Sequence, residues 1–153
     1  MLKAGDKAPG FTLHDDAGNT VTLKGLLKNG PLLLYFYPAD FTPGCTKEAC
    51  EIRDMHEDIS DAGVQVVGVS PQDSDSHAQF RDKYTLPFKL LADPEKQAVK
   101  AYGVDGPLGM GVRRATFLID PDGKIEDVVV ADFRIGRHSD FIREALARHK
   151  ADA

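Results

Sequence analysis

Apolar residues are distributed along the chain in two patterns. Continuous apolar runs predict buried strands, and apolar residues spaced three and four apart predict helices. Residues 31–37 form a continuous apolar run, typical of a central strand buried on both faces. Residues 64–70 form a second such run. Between them, apolar residues recur at spacings of three and four, which predicts a helix over residues 45–62 that ends at Gly63.

The rest of the chain predicts a β-hairpin near each end, with shorter elements between them. Turn-forming residues at 15–19 and 120–123 separate the two strands of each hairpin. The glycine-rich stretch 105–111 is expected to be irregular and to form a flexible rim near the active site. The remaining predicted elements are strands at 11–13, 20–23, 88–92, 115–119 and 124–130, and helices at 73–84, 94–102 and 139–149.

This order of elements predicts an α/β fold, a three-layer sandwich around a mixed sheet. Crossover helices place parallel strands in the middle of the sheet, and the C-terminal hairpin adds an antiparallel edge followed by a helix. The loop at residues 38–44 follows the central strand, at the sheet end where ligands usually bind. A chain of 153 residues is most simply one domain, spanning residues 1–153.

Composition and charge narrow the possible functions. The net charge is -5, and the 19 Lys and Arg residues are scattered, which argues against a nucleic-acid partner. No apolar run approaches the roughly 18–20 residues of a membrane span. The first six residues lack the apolar centre of a signal peptide. We therefore expect a cytoplasmic protein with no membrane partner, and with no exposed apolar segment that demands an interface we expect a monomer.

The two cysteines, Cys45 and Cys50, are the only ones in the sequence. A domain of this size needs no disulfide to hold its core. In the cytoplasm a close pair is more often catalytic, redox-sensing or metal-binding. Cys45 follows Pro43 and Gly44 and opens the predicted helix, where the helix dipole and free backbone N–H groups favour a thiolate.

The spacing of the two cysteines conflicts with a disulfide in a regular helix. Five residues of helix separate the Cα atoms by roughly 8.6 Å and turn the side chains about 140° apart. Disulfides rarely form when the Cα atoms are more than ~7 Å apart. The first helical turn would have to unwind whenever Cys45 and Cys50 bond to each other.

A thiolate with a second thiol nearby suits reaction with peroxides, because a sulfenic acid must be captured by another thiol before it oxidises further. Thr42 lies three residues before Cys45, where its hydroxyl would orient a peroxide oxygen, and Pro38 would shield the pocket from water. A cation is expected from Arg113 or Arg114. Alternation along the following strand places these two on opposite faces, so only one should point at the loop.

These residues resemble the active-site motif of peroxiredoxins. The pattern Pro38-x-x-x-Thr42-x-x-Cys45 matches that motif, and its continuation through Cys50 resembles the bacterioferritin-comigratory, or Q, subfamily. The similarity covers nearly the whole chain, including residues 5–9, 35–38 and 114–120. Ala39 departs mildly from the pattern, because a charged residue is frequent there.

The resemblance implies both a fold and a reaction. It implies a thioredoxin-like fold, with Cys45 as the peroxidatic cysteine, Cys50 as the resolving cysteine, and Thr42 and Arg114 holding the peroxide. Hydrogen peroxide and alkyl hydroperoxides would be the substrates, and thioredoxin, or alternatively glutaredoxin, the reductant. We expect no cofactor and no metal, since the cysteine spacing lacks a second pair of ligands for zinc.

Several residues keep a second interpretation. Either cysteine would alternatively be a structural thiol. Pro38 would only end the strand, and Thr42 would be a loop residue without a role in the reaction. Arg113 would be a solvated charge, or it would take the role of Arg114 in the site. Glu48 would either orient Arg114 or lie in solvent at the helix start. None of the five histidines is predicted to be catalytic. A non-enzymatic redox sensor would use the same residues, whereas a general disulfide oxidoreductase lacks its C-x-x-C motif.

Overall fold

The structure is a computed structural model that describes residues 2–151. In this range the chain forms seven strands, six α-helices and one short 3-10 turn. The strands are β1 (Thr12–Asp15), β2 (Thr20–Thr22), β3 (Leu32–Phe36), β4 (Gln65–Ser70), β5 (Lys89–Ala92), β6 (Ala115–Ile119) and β7 (Ile125–Val130). The helices are α1 (Leu23–Leu27), α2 (Pro43–Asp54), α3 (His56–Asp61), α4 (Ser74–Tyr84), α5 (Gln97–Ala101) and α6 (Gly136–Ala151), and the 3-10 turn spans Pro107–Gly109.

The strands form one mixed sheet in the order β2-β1-β5-β4-β3-β6-β7. Strands β3, β4 and β5 run parallel to one another, as their helical crossovers require. Strand β6 lies antiparallel to β3 and pairs with β7 in a hairpin, while the β1–β2 hairpin covers the other edge. The predicted mixed sheet with parallel strands at its centre is confirmed.

Two apolar cores flank the sheet and create three layers. All five residues of β3 are buried, and alternate side chains of this strand enter opposite cores. The core that contains Leu34 is covered by α1 and α5, whereas the core that contains Leu33 is covered by α2, α3, α4 and α6. The uninterrupted apolar run therefore reflects burial on both faces, as predicted.

Several boundaries differ from the prediction. The helix expected over 45–62 is two helices that meet at Met55, whose amide bonds to both Glu51 and Ile52 carbonyls. Helix α6 begins at Gly136, before the predicted start at 139, and α5 is shorter than the predicted 94–102. Helix α1 was missed, because Thr22 ends the strand and caps a helix with its hydroxyl, which accepts from the Gly25 amide at 3.0 Å.

The topology places α2 directly beyond the carboxyl end of β3, at the centre of the sheet. Strand β6, the antiparallel neighbour of β3, begins at the same end. The segment before β6 and the start of α2 are thereby brought together. No helix between residues 2 and 151 is long and apolar enough to cross a membrane.

Candidate active site

A sharp turn after β3 delivers Cys45 to the first turn of α2. Phe41 has a left-handed backbone with φ of 65°, and Thr42 is extended, so the chain reverses before Pro43 starts the helix. Pro43 suits this position because its fixed φ matches the helix and its missing N–H would have no intrahelical partner. Cys45 is buried, with 2% of its surface exposed, and the first-turn amides around it have no acceptor inside the helix.

Asp40 fixes this loop to the rest of the molecule. Its buried carboxylate accepts hydrogen bonds from the Tyr37 hydroxyl at 2.6 Å and from the Ser76 hydroxyl at 2.7 Å. Nδ1 of the buried His77 lies 2.7 Å from the same carboxylate, and the opposite ring nitrogen lies 3.0 Å from the Leu91 carbonyl oxygen. The loop is therefore bound to β3, α4 and β5 before it enters α2.

Arg114 is the arginine that faces Cys45. Its Nη2 donates to the Cys45 sulfur at 3.3 Å, and its Nη1 donates to Glu48 Oε1 at 2.6 Å. Arg113 points away and pairs with Asp132 at 3.1 Å. Alternation along the strand predicted that one arginine would face the loop, and the contacts identify Arg114 as that residue.

Glu48 is buried against Arg114, which decides between its two interpretations. Only 1% of the residue is exposed. Burial raises the pKa of Glu48 to about 7, although the charge and hydrogen bond of Arg114 act in the opposite direction. Burial also opposes the charge of Arg114, but Glu48 and Cys45 together raise the pKa of its guanidinium. The guanidinium therefore remains charged between two groups that compete for it.

Polar atoms without partners are concentrated at this site. In the described part of the chain, three buried side-chain nitrogen or oxygen atoms have no hydrogen-bond partner: Glu48 Oε2, Arg114 Nε and Tyr35 Oη. Glu48 Oε2 lies 3.7 Å from Nδ1 of the buried His138. Two of the three atoms belong to the ion pair next to Cys45, so this pair is held in a more polar and less satisfied environment than the rest of the core.

Pro38 and Thr42 lie on the wall of the cavity that reaches Cys45. The Thr42 hydroxyl donates its proton to the Ala39 carbonyl oxygen at 3.1 Å, which leaves its lone pairs free to accept. Pro38 is exposed and lines the same cavity as Cys45 and Arg114. These two residues, predicted from the motif, thus line the same cavity as the thiol and the guanidinium.

The cavity has a volume of about 980 Å³ and opens to solvent beside Cys45. Its rim comes from the glycine-rich segment before β6 and from the segment between β7 and α6. Phe133 and Met110 are exposed on that rim, at 96% and 71% of their surface. The site therefore combines a charged floor with a mainly apolar entrance.

Cys50 is too far from Cys45 to form a disulfide in this structure. Both cysteines are free and lie in the unbroken helix α2, where ideal geometry separates their Cα atoms by roughly 8.6 Å. Cys50 is half-buried. Within residues 2–151, no three His, Cys, Asp or Glu side chains are grouped closely enough to hold a metal ion.

Sequence reasoning missed the two buried histidines near this loop. His77 and His138 come from α4 and α6, far from the cysteines in sequence. Their isolated positions gave no motif, and only the apolar pattern of each helix, extended to its first turn, would have indicated that they face inward.

Comparisons with known proteins identify the family of the chain. The family model described as the AhpC/TSA family matches residues 4–128. A putative peroxiredoxin of Mycobacterium tuberculosis is 46% identical over 140 residues, which cover 88% of this chain and 87% of that protein. Peroxiredoxin Bcp of Bacillus subtilis is 40% identical over 151 residues, covering 95% of this chain and 93% of the relative.

Solved structures give the same result. The crystal structure of peroxidoxin BcpB from Mycobacterium tuberculosis superposes with a TM-score of 0.89 at 38% identity, covering 99% of this chain and 98% of that one. The bacterioferritin comigratory protein of Xanthomonas campestris, reported to have alkyl peroxide reduction activity, superposes with a TM-score of 0.83 at 29% identity over 91% of each chain. With the resemblance in its motif, the chain therefore belongs to the AhpC/TSA family and is a thioredoxin-like thiol peroxidase of the bacterioferritin-comigratory, or peroxiredoxin Q, type.

Proposed function

We propose that Cys45 is the peroxidatic cysteine and that it reduces hydroperoxides. The observation that carries this proposal is the contact between Cys45 and Arg114, 3.3 Å long, at the start of a helix and on the wall of an open cavity. A guanidinium and the positive end of a helix dipole both stabilise a thiolate. The thiolate is the nucleophile that this reaction requires.

The proposed first step breaks the O–O bond of the substrate. The Cys45 thiolate attacks the terminal hydroperoxide oxygen, an S–O bond forms, and the other oxygen leaves as an alkoxide or hydroxide that takes up a proton. Cys45 is oxidised to a sulfenic acid, while the hydroperoxide is reduced to an alcohol or water. Arg114 and the first-turn amides stabilise the charge that moves between sulfur and oxygen, and Thr42 accepts a hydrogen bond from the substrate.

Hydrogen peroxide and alkyl hydroperoxides are the proposed substrates. Hydrogen peroxide needs only the polar floor of the cavity. Support for organic substrates comes from the apolar rim, with Phe133 and Met110 exposed, and from the alkyl peroxide reduction reported for the Xanthomonas campestris relative. Pro38, on the cavity wall, would shield the reacting atoms from water.

Cys50 is the proposed resolving cysteine. Its thiolate would attack the sulfenic sulfur of Cys45, so that an S–S bond forms, the S–O bond breaks and the oxygen leaves as hydroxide, which takes up a proton to become water. The start of α2 must unwind for this step, because the helix keeps the two sulfurs apart. Residues Gly44 and Thr42, which border the turn, favour such a local opening, since glycine has a high conformational freedom and Thr42 makes no capping bond.

Recycling requires a dithiol protein, and we propose thioredoxin, with glutaredoxin as the alternative. A thiolate of the reductant would reduce the Cys45–Cys50 disulfide by thiol–disulfide exchange, which would allow the helix to form again. The cytoplasm, where such dithiols are kept reduced, is the compartment we propose for this cycle, and a monomer is the proposed working unit.

The proposal is tested by steady-state peroxide consumption with thioredoxin, its reductase and NADPH, using hydrogen peroxide and cumene hydroperoxide. We expect many turnovers per molecule, which also separates an enzyme from a redox sensor that reacts once. Cys45→Ser should abolish consumption. Cys50→Ser should react once and accumulate a sulfenic acid that a dimedone-type reagent labels. Failure of the wild-type protein to consume either peroxide would refute the proposal.

A further inference from the structure

His138 lies next to the ion pair of Arg114 and Glu48 in the active site. It sits in the first turn of α6 and is fully buried. Its Nε2 is 2.9 Å from the Ala131 carbonyl oxygen, its Nδ1 is 2.8 Å from the Thr116 hydroxyl, and the same Nδ1 is 3.7 Å from Glu48 Oε2. A buried chain of contacts thus leads from Cys45 through Arg114 and Glu48 to His138.

The hydrogen-bond partners determine where the proton on His138 resides. A carbonyl oxygen only accepts, so Nε2 carries a hydrogen that it donates to Ala131. In a neutral ring Nδ1 is then an acceptor, and the Thr116 hydroxyl donates to it. Glu48 Oε2 consequently faces a lone pair instead of a donor, which agrees with its lack of a hydrogen-bond partner.

This arrangement disfavours an ionised Glu48. A buried carboxylate oxygen without a donor is costly, and the cost is removed by a proton on Glu48 or on His138 Nδ1. Burial lowers the pKa of His138, and Arg114 and Arg137 lower it further, against the opposing effects of the Ala131 bond and Asp132. Of the two groups, Glu48 is therefore the one that takes up the proton, because burial raises its pKa to about 7.

The charged and titratable groups around His138 come from every neighbouring element. Helix α2 contributes Glu48 and also Glu51, which accepts from the Ser139 hydroxyl on α6. Strand β6 contributes Arg114, the segment after β7 contributes Asp132, and α6 itself contributes Arg137. Of these, Glu48 is the one whose carboxylate oxygen approaches the ring.

The geometry points to His138 as a further positioning residue of the peroxidatic site, one that acts on Arg114 by limiting the ionisation and the movement of Glu48. When Glu48 is protonated, the charge of Arg114 is directed mainly at the Cys45 thiolate. When Glu48 ionises, it competes with the thiolate for that charge. This inference rests on the proposed role of Cys45, because the measured effect is the reactivity of its thiolate.

Two substitutions separate this role from a structural one. His138→Gln places an amide nitrogen near the former Nε2, so it retains the bond to Ala131 but leaves nothing opposite Glu48. His138→Asn places its amide oxygen near the former Nδ1, where it accepts from Thr116 and again presents an acceptor to Glu48, but it loses the bond to Ala131. The control is His149→Gln on the same helix, where His149 contacts Glu126 and not the site.

The measurement is the second-order rate constant for oxidation of Cys45 by hydrogen peroxide between pH 5.5 and 8.5. It is determined from competition with a haem peroxidase for the peroxide. We expect His138→Gln to lower this rate constant on the order of tenfold at pH 7, which is the scale of losing one charged contact. The same substitution should shift the dependence of the rate constant on pH. His138→Asn should lie closer to wild type, and His149→Gln should equal wild type. The reverse order of the two His138 variants, or an unchanged profile in both, would overturn the inference.

A second measurement uses the wild-type protein alone, so it depends neither on the folding of a variant nor on enzyme activity. Long-range proton–nitrogen NMR of the reduced wild-type protein at pH 7 should show His138 as the neutral Nε2–H tautomer. A doubly protonated or Nδ1–H ring would contradict the inference. Loss of peroxide reactivity in the wild-type protein itself would instead refute the role proposed for Cys45, so the two failures are distinguishable.

Discussion

Cys45 and Cys50 lie in one uninterrupted helix, and the helix is bound to the protein on both sides of them. Asp40 holds the chain before the helix through Tyr37, Ser76 and His77. After Cys50, the Arg53 side chain donates to the Tyr84 carbonyl oxygen at 2.8 Å. A disulfide between the two cysteines must therefore be accommodated by the short stretch between these two attachments.

Oxidation is expected to unwind only the first part of α2. After one equivalent of hydrogen peroxide, backbone amides of residues 46–50 should lose protection from hydrogen exchange, because the bond shortens a distance that the helix fixes. Amides of residues 52–54 should retain theirs. Hydrogen exchange measured by mass spectrometry on reduced and oxidised protein tests this.

Cys50→Ser is the matched control for the unwinding. With peroxide it forms the sulfenic acid but no internal disulfide, so its helix should stay protected. Equal protection of residues 46–50 in the reduced and the disulfide-bonded wild-type protein would show that the bond forms without unwinding.

Arg114→Met should slow the oxidation of Cys45 by about 10²–10³-fold, because it removes a preorganised donor from the reacting atoms. It should also lower the free energy of unfolding by about 1–3 kcal/mol, because the buried Glu48 carboxyl loses its hydrogen-bond partner. Stopped-flow kinetics and urea unfolding measure the two effects. Arg113→Met is the control: its pair with Asp132 is half-exposed, so a change of about 0–1 kcal/mol is expected.

The double substitution Arg114→Met with Glu48→Met separates catalysis from stability. Replacing a whole buried ion pair by apolar side chains is often neutral or stabilising. We expect the double variant to regain stability but not the rate. A double variant that regains the rate would mean that Arg114 acts only on folding.

The fold and the centre of the site were predictable because they depend on local patterns. The apolar run of β3 requires burial on both faces, and the period of two along β6 separates Arg113 from Arg114 whatever the rest of the chain does. The motif residues Pro38, Thr42 and Cys45 lie within eight positions of each other. Their common location on one cavity wall follows from that short spacing.

The outer part of the site was not predictable from the sequence, for reasons of distance and helix position. Glu48 stands where a helix side chain points either to solvent or to the core, and only the packing of α6 on α2 decides this. His77 meets Asp40 from 37 residues away. His138 lies one residue before the predicted helix 139–149. The apolar pattern of that helix was therefore not applied to His138, and its burial was not predicted.

Asp40→Ala should destabilise the protein by about 3–5 kcal/mol, because it removes the common partner of the buried His77 and Tyr37 and of the half-buried Ser76. Urea unfolding tests this, with Asp54→Ala, an exposed position in α2, expected within about 0.5 kcal/mol of wild type. The oxidation of Cys45 should also slow, since Asp40 holds the loop that carries Thr42. A loss of stability no larger than that of Asp54→Ala would show that the buried contacts of Asp40 do not fix the loop.

Glu48 should make the stability of the protein depend on pH in a defined direction. Burial raises the pKa of its carboxyl from 4.5 to about 7, so between these values the folded state binds a proton that the unfolded state has released. The contribution of Glu48 is complete below pH 4.5 and is lost as the pH rises through 7, by about 3 kcal/mol in total. The lowered pKa of His138 acts in the opposite sense, so the difference between variants is the informative quantity.

The measurement is the free energy of urea unfolding of wild type and Glu48→Gln at several values between pH 4.5 and 8. Because a glutamine imitates the protonated carboxyl, the two proteins should be most alike at low pH, and Glu48→Gln should gain relative stability as the pH rises. Glu57→Gln, an exposed substitution in α3, controls for the change in net charge. A difference between Glu48→Gln and wild type that stays constant across this range would mean that Glu48 remains ionised beside Arg114 throughout, and the competition between Glu48 and the Cys45 thiolate would then not vary with pH.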